Sequence, residues 1–120
     1  MFDDKKILYL EDEPLVALDT SEHLESLGFG QVEVAYRLAS AEKKAAEGDF
    51  DLAMLDINVD GGQTSIALGQ KLKESGVQVV FASGNSFEAD RLCNEGFAFL
   101  DKPFSLGQLS ETLKTLASQS

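Results

Sequence analysis

The segment Leu52-Ala53-Met54-Leu55-Asp56 consists of four apolar residues followed by a single acid. This short, continuously apolar pattern is typical of a strand that is buried on both faces of a parallel sheet. The acid would then stand at the carboxyl end of the strand, where open α/β sheets bind their ligands. We therefore expect Asp56 to lie at the functional site.

Four other segments of the chain have the character of strands. The five predicted strands are residues 7–10, 31–35, 51–56, 77–82 and 97–100. Polar residues stand at or after the carboxyl ends of three of the other four strands. These residues are Glu11 and Asp12 after the first strand, Ser83 after the fourth, and Lys102, which Pro103 follows, after the fifth. In a parallel sheet they would all lie at one edge.

Segments with helical periodicity separate these strands. The predicted helices are residues 14–27, 38–47, 64–75, about 87–95 and 105–117. Pro14 suits a first helical position, and Gly28 and Gly76 each follow the last residues of a helix. In the first helix Leu15, Leu18, Leu24 and Leu27 recur at intervals of three to six residues.

Five strand-helix repeats predict an α/β fold of the (βα)5 type. Right-handed crossovers between strands buried on both faces give a doubly wound parallel sheet. For a chain of 120 residues we expect the flavodoxin-like strand order 2-1-3-4-5. Its ligand crevice lies between the first and third strands, where Glu11, Asp12 and Asp56 would meet.

The composition limits the possible functions. The length predicts one domain spanning residues 1–120. A net charge of −11 argues against a nucleic-acid partner, because such binding depends on clustered basic residues. No apolar run approaches the ~20 residues that span a membrane, and the first residues lack a signal-peptide pattern, so we expect a cytoplasmic protein. We expect the lone Cys93 to be a small buried residue and His23 to lie on the surface.

Three converging carboxylates repel one another, and a site that keeps them ionised normally holds a hard cation. Mg²⁺ is the expected ion, because it takes one or two carboxylates together with waters and phosphate oxygens. We predict Asp12 and Asp56 as direct ligands and Asn58 as a ligand through its backbone carbonyl. Glu11 would act through a water or as a more distant ligand.

A carboxylate can also attack phosphorus and form an acyl phosphate. Phosphoryl transfer depends mainly on alignment and on neutralising the charge of the phosphoryl oxygens. Lys102 would neutralise one oxygen, the Ser83 hydroxyl would donate to another, and the metal would take the third. The residues thus predict a phosphoryl-accepting site centred on Asp56.

Taken together, these motifs resemble the receiver domain of a two-component response regulator, from about Lys5 to Leu116. The matching positions are Glu11-Asp12, Asp56, Asn58, Ser83 within Phe81-Ala82-Ser83-Gly84, Phe99 and Lys102-Pro103. The order and spacing of the whole set are more specific than any one motif. Phe-Ala-Ser-Gly is also similar to a Phe-Ala-Thr-Gly variant found among single-domain receivers.

The resemblance implies a role for each matching residue. Asp56 would accept a phosphoryl group from a histidine kinase or a histidine phosphotransfer protein, and Ser83 and Phe99 would relay the change to a partner protein. Asn58 and Asn85 occupy positions like those that set the hydrolysis rate in the family. The peptide bond before Pro103 would be cis.

This chain departs from the common family pattern at three places. The acidic pair is Glu-Asp rather than two aspartates, the hydroxyl residue is Ser rather than Thr, and Gly61-Gly62 stands where many receivers have Pro-Gly. These differences leave the acceptor chemistry in place. They bear on how the domain passes on its signal.

The leading interpretation is a phosphorylation-controlled signalling switch that is not an enzyme with a substrate of its own. One alternative is a pseudo-receiver, a scaffold that binds partners without phosphorylation. Another is a Mg²⁺-dependent aspartyl phosphatase of the haloacid dehalogenase type, although such enzymes usually have a second aspartate where Asn58 stands.

The basic residues of the last third of the chain bear on its oligomeric state. Apart from Lys102, only Arg91 and Lys114 are basic between Gly84 and Ser120. Receivers that dimerise through their last two helices commonly use acidic and basic side chains in alternation, and a net charge of −11 adds repulsion between copies. We therefore expect a monomer that signals to a different protein.

Overall fold

The computed structural model describes residues 2–59, 63–84 and 89–118. The described residues form seven strands and five helices. The strands are β1 (Lys6–Leu10), β2 (Gln31–Ala35), β3 (Leu52–Asp56), β4 (Asn58–Val59), β5 (Gln63–Thr64), β6 (Gln78–Ser83) and β7 (Ala98–Asp101). The helices are α1 (Pro14–Ser26), α2 (Leu38–Glu47), α3 (Ile66–Glu74), α4 (Ala89–Asn94) and α5 (Leu106–Ala117).

Five of the strands form one parallel sheet in the order β2-β1-β3-β6-β7. Counted along the chain without β4 and β5, this order is 2-1-3-4-5. The predicted doubly wound α/β fold is therefore confirmed. The order reverses direction between β1 and β3, which places the ligand crevice at their carboxyl ends.

Side chains of the central strands alternate between two hydrophobic clusters. In β1, Leu8 and Leu10 belong to one cluster, and Ile7 and Tyr9 belong to the other. The first cluster takes residues from α2, α3 and α4, and the second takes residues from α1 and α5. Burial on both faces explains why the strands are continuously apolar in sequence.

The helix ends follow from local chemistry. Pro14 occupies the first turn of α1, and Gly28, with φ of 100°, adopts the left-handed conformation just beyond it. At α5 the Ser105 side chain accepts from the Gln108 N–H, and the Gln108 side chain accepts from the Ser105 N–H. This reciprocal capping fixes the start of α5 at Leu106, three residues beyond Pro103. The predicted start of the fourth helix near residue 87 lies outside the described residues.

The leucine spacing in α1 predicts the helix but not its buried face. Leu15 and Leu18 are exposed, whereas Ala17 and Leu24 are buried together with two hydroxyl residues of the same helix. Small side chains therefore face the sheet, and two of the leucines face solvent.

Three further details differ from the sequence predictions. Cys93 is exposed, because it lies on the outer side of α4 rather than toward the core. His23 is half-buried, and its Nε2 lies 3.0 Å from the Ser110 hydroxyl of α5, so this residue joins two helices. The strands β4 and β5, which the sequence analysis does not predict, pair in antiparallel fashion after Asp56.

None of the helices in the described ranges is long and apolar enough to cross a membrane.

Candidate functional site

Backbone pairing brings the predicted site residues to one edge of the sheet. Asp56 is the last residue of β3, and Ser83 is the last residue of β6. Glu11 follows β1, and its N–H donates to the Ala35 carbonyl of β2. Lys102 follows β7, and its N–H donates to the Ser83 carbonyl at 2.9 Å. Residues distant in sequence thus meet because parallel strands end together.

Glu11, Asp12 and Asp56 form a cluster of carboxylates. One oxygen from each of the three lies within 4.8 Å of the others. Glu11 and Asp56 are buried, whereas Asp12 is exposed. The site therefore has a solvent-accessible side at Asp12, through which a hydrated ion can enter.

Lys102 supplies the positive charge of the site. Its Nζ lies 2.6 Å from Glu11 Oε1 and 3.3 Å from Asp56 Oδ2. The Lys102–Pro103 peptide bond, for which the resemblance implied a cis geometry, is cis. The lysine therefore bridges the first and third strands of the crevice.

Burial and charge determine the protonation of these groups. The pKa of Asp56 is raised to about 6. Burial is the largest cause, Glu11 and Asp12 add to the rise, and Lys102 opposes it. Burial alone would lower the pKa of Lys102, but its contacts with Glu11 and Asp56 outweigh burial and raise that pKa. At neutral pH Asp56 is thus an ionised carboxylate, and Lys102 is a cation beside it.

Two polar side chains lie next to the acids. Ser83 is buried at the end of β6, and the Asn58 amide Nδ2 donates to its hydroxyl at 3.4 Å. Asn58, two residues beyond Asp56, is therefore in contact with Ser83. Asn85, the second residue assigned to hydrolysis from the sequence, lies outside the described residues.

Phe99 lies in β7, with Phe81 of β6 as its register partner. It is half-buried and packs against the cluster that includes α2, α3 and α4. The neighbouring Phe97 ring contacts Phe81 edge to face, with centroids 5.0 Å apart. Phe99 thus lies beside the strand that carries Ser83.

Ser65 is a site-supporting residue that the sequence interpretation missed. It is fully buried, and its hydroxyl donates to the Asp56 carbonyl at 2.7 Å. Its N–H also donates to the Ile57 carbonyl at 3.0 Å. Ser65 directly precedes α3, and a serine at that position is a recognised helix-start signal. It fixes the backbone that carries Asp56.

A groove of about 690 Å³ opens beside the lysine. Exposed apolar side chains of α1 and α5 line it, and so do Lys102 and Pro103. The apolar residues are Leu15, Val16, Leu18 and Leu106. Asp19 and Glu22 add acidic groups to the lining. This surface is continuous with the acidic site through Lys102.

The donor set fits a magnesium ion. The protein offers carboxylate oxygens from only two or three side chains. The open side of the site leaves the remaining positions around the ion to waters and phosphate oxygens. Sulfur and imidazole ligands, which softer metals prefer, are absent from the cluster. A hard divalent cation is the ligand that this chemistry favours.

Residues 7–114 match the family model of the response regulator receiver domain. No curated protein sequence is similar enough to count as a match.

Similar solved structures include the following three proteins. SdrG from Sphingomonas melonis Fr1 is 31% identical, with a TM-score of 0.79, 97% of this chain covered and 98% of that one. A CheY-like receiver domain protein from Methanospirillum hungatei JF-1 is 26% identical, with a TM-score of 0.84 and coverage of 96% and 94%. The response regulator TrrA from Thermotoga maritima, solved in complex with Mg²⁺-BeF, is 24% identical, with a TM-score of 0.82 and coverage of 94% and 99%.

Proposed function

This chain belongs to the response regulator receiver domain family, and we propose that it is a signalling switch controlled by phosphorylation of Asp56. The observation that carries the proposal is the position of Asp56: it is buried at a strand end, 3.3 Å from Lys102 and clustered with Glu11 and Asp12. A buried carboxylate with a cation and two further acids beside it suits charge-neutralised phosphoryl transfer.

In the proposed reaction an oxygen of Asp56 attacks the phosphorus of the donor. A bond forms between this oxygen and phosphorus, the bond between phosphorus and the leaving group breaks, and the leaving group keeps the electron pair. Lys102 neutralises one phosphoryl oxygen, and the Ser83 hydroxyl donates to another. Mg²⁺, when bound by Asp12, Asp56 and the Asn58 carbonyl, supplies further positive charge for the phosphoryl oxygens.

The proposed donor is a histidine kinase or a histidine phosphotransfer protein in the cytoplasm. The groove between α1 and the start of α5 is suited to receive it, because the groove borders Lys102 and exposes apolar side chains. Its acidic residues Asp19 and Glu22 complement a donor helix that carries basic residues around an apolar stripe. Nucleic acid is not a proposed partner, in keeping with the net charge of −11.

The proposed output is a change in the surface around β7. Ser83 closes on the phosphoryl group, and Phe99 moves inward, so that a pre-existing active conformation becomes more populated. We propose that a monomer then binds a different downstream protein. Light scattering with and without beryllofluoride tests this part: an unchanged mass supports it, and a doubled mass on activation contradicts it.

Acetyl phosphate tests the acceptor directly, because it replaces the protein donor. The purified chain is incubated with acetyl phosphate and Mg²⁺, and intact mass spectrometry follows the addition of one phosphoryl group. We expect addition to wild type and to the exposed-site control Asp49→Asn, and none to Asp56→Asn or in excess EDTA.

The other outcomes separate the alternatives. Absence of labelling in wild type would favour a pseudo-receiver that binds partners without phosphorylation. Continuous release of phosphate from a small phosphomonoester would favour the aspartyl phosphatase. Either result would contradict the proposal that this chain is a phosphorylation-controlled switch.

A further inference from the structure

The Glu11 side chain is engaged at both of its carboxylate oxygens. Oε1 accepts a hydrogen bond from Lys102 Nζ at 2.6 Å, and Oε2 accepts one from the Glu13 N–H at 3.1 Å. The residue is only 1% exposed. Its charge is therefore satisfied by the protein itself.

Asp12 presents the opposite situation. It is exposed, and within residues 2–59, 63–84 and 89–118 no side-chain hydrogen bond or ion pair engages its carboxylate. Asp56 has one oxygen near Lys102, at the longer distance of 3.3 Å. Of the three clustered acids, Asp12 is the one most available to an incoming cation, and Glu11 is the least available.

The extra methylene of glutamate explains this division. Glu11 follows β1 directly, and its longer side chain spans from the backbone of residue 13, at the entrance to α1, to the lysine that follows β7. An aspartate at this position has a carboxylate one bond closer to the backbone. Such a carboxylate would have to give up one of the two contacts.

We propose that Glu11 is a positioning residue that holds Lys102 beside Asp56. This inference rests on the proposed phosphoryl acceptance at Asp56. Lys102 carries a flexible four-carbon stem, and holding its ammonium in place before the donor arrives lowers the ordering cost of the transfer step. Glu11 acts through the lysine and does not touch the phosphoryl group.

A double-mutant cycle with Glu11→Gln and Lys102→Met tests the coupling. The phosphorylation rate is measured with acetyl phosphate at saturating Mg²⁺ for wild type, both single variants and the double variant. Glu11→Gln should slow wild type roughly tenfold, as contacting residues of one network commonly do. The same change should have little further effect once Lys102 has been replaced.

Mg²⁺ affinity, measured by calorimetric titration without a phosphoryl donor, provides the second readout. Glu11→Gln should alter the Kd for Mg²⁺ far less than Asp12→Asn does. Glu11→Asp should be phosphorylated more slowly than wild type, because the shortened carboxylate loses its hold on the lysine. The same variant should bind Mg²⁺ more tightly, because the released carboxylate is available to the cation. A merely structural role for Glu11 would not produce this opposite movement of affinity and rate.

Two results would overturn the inference. One is a loss of Mg²⁺ affinity in Glu11→Gln as large as that in Asp12→Asn. The other is an equal slowing by Glu11→Gln with and without Lys102. If no variant accepts a phosphoryl group, the proposed function fails, and the Mg²⁺ titrations still decide whether Glu11 acts as a metal ligand.

Discussion

Replacing Asp56 with asparagine should stabilise the metal-free protein. Burial, together with Glu11 and Asp12, raises the pKa of Asp56 from its ordinary value of 3.8 to about 6 despite the attraction of Lys102. At ~1.4 kcal/mol for each pKa unit, ionising this carboxylate costs the folded protein about 3 kcal/mol. Asparagine has nearly the same shape and carries no charge, so it removes this cost.

The sign of the effect fixes its pH dependence. The folded-state pKa is raised, so the folded protein holds the Asp56 proton more tightly than the unfolded chain does. The contribution of Asp56 to the stability of wild type therefore falls as the pH rises from about 4 through about 6, and it changes little above about pH 7. The advantage of Asp56→Asn should be about 1 kcal/mol at about pH 4.5 and about 3 kcal/mol at about pH 7.5.

Thermal unfolding in EDTA, followed by circular dichroism, measures this difference. For a domain of this size we expect Asp56→Asn to melt on the order of 10 °C above wild type at about pH 7.5. Asp49→Asn removes one charge at an exposed position and controls for general repulsion among the acids. An advantage of the same size at both pH values, or one matched by the control, would refute the explanation by burial and local repulsion.

Three further predictions follow from the site and its support. Mg²⁺ should raise the Tm of wild type, because it binds only the folded state, and Asp12→Ala should abolish the rise; equal shifts in both proteins would place the metal elsewhere. Bulky or charged replacements of Asn58 or Asn85 should change the hydrolysis rate of the phosphorylated protein severalfold without preventing phosphorylation, as phosphate release reports; unchanged decay in both variants would contradict this. Gly69→Ala should destabilise the fold by about 1–3 kcal/mol in a urea titration, because the new methyl group would overlap the buried Phe81 ring; a gain in stability would show that the helix propensity of alanine prevails.

The sheet and the position of the site were predictable because they depend on regular features of the sequence. Continuously apolar strands that alternate with helices predict a doubly wound parallel sheet, and Asp56, Ser83 and Lys102 then meet at the strand ends. No long-range information is needed for this step, since parallel strands place all their carboxyl ends at one edge.

The details that were missed depend on side-chain contacts between distant elements. Spacing alone did not show that Leu15 and Leu18 face solvent, because Ala17 and its hydroxyl neighbours pack more closely against the sheet. The distribution of the Glu11 oxygens between Lys102 and the Glu13 N–H depends on the length of one side chain in the folded site. These side-chain contacts form only when the helices and strands are packed together.

The contacts of α1 and the orientation of α4 raise the same problem. The His23–Ser110 contact joins α1 to α5, although a histidine among acidic residues of one helix suggested an exposed position. The exposed Cys93 likewise reflects the orientation of the short α4, which its sequence does not determine.

The most direct test of the central claim is to locate the phosphoryl group on the chain. After incubation with acetyl phosphate and Mg²⁺, borohydride reduces an aspartyl phosphate to homoserine, and peptide mass spectrometry identifies the altered residue. We predict conversion at Asp56 alone, and its loss when EDTA is present. Conversion at another carboxylate, or an unmodified Asp56 in a protein that has gained a phosphoryl group, would contradict the account.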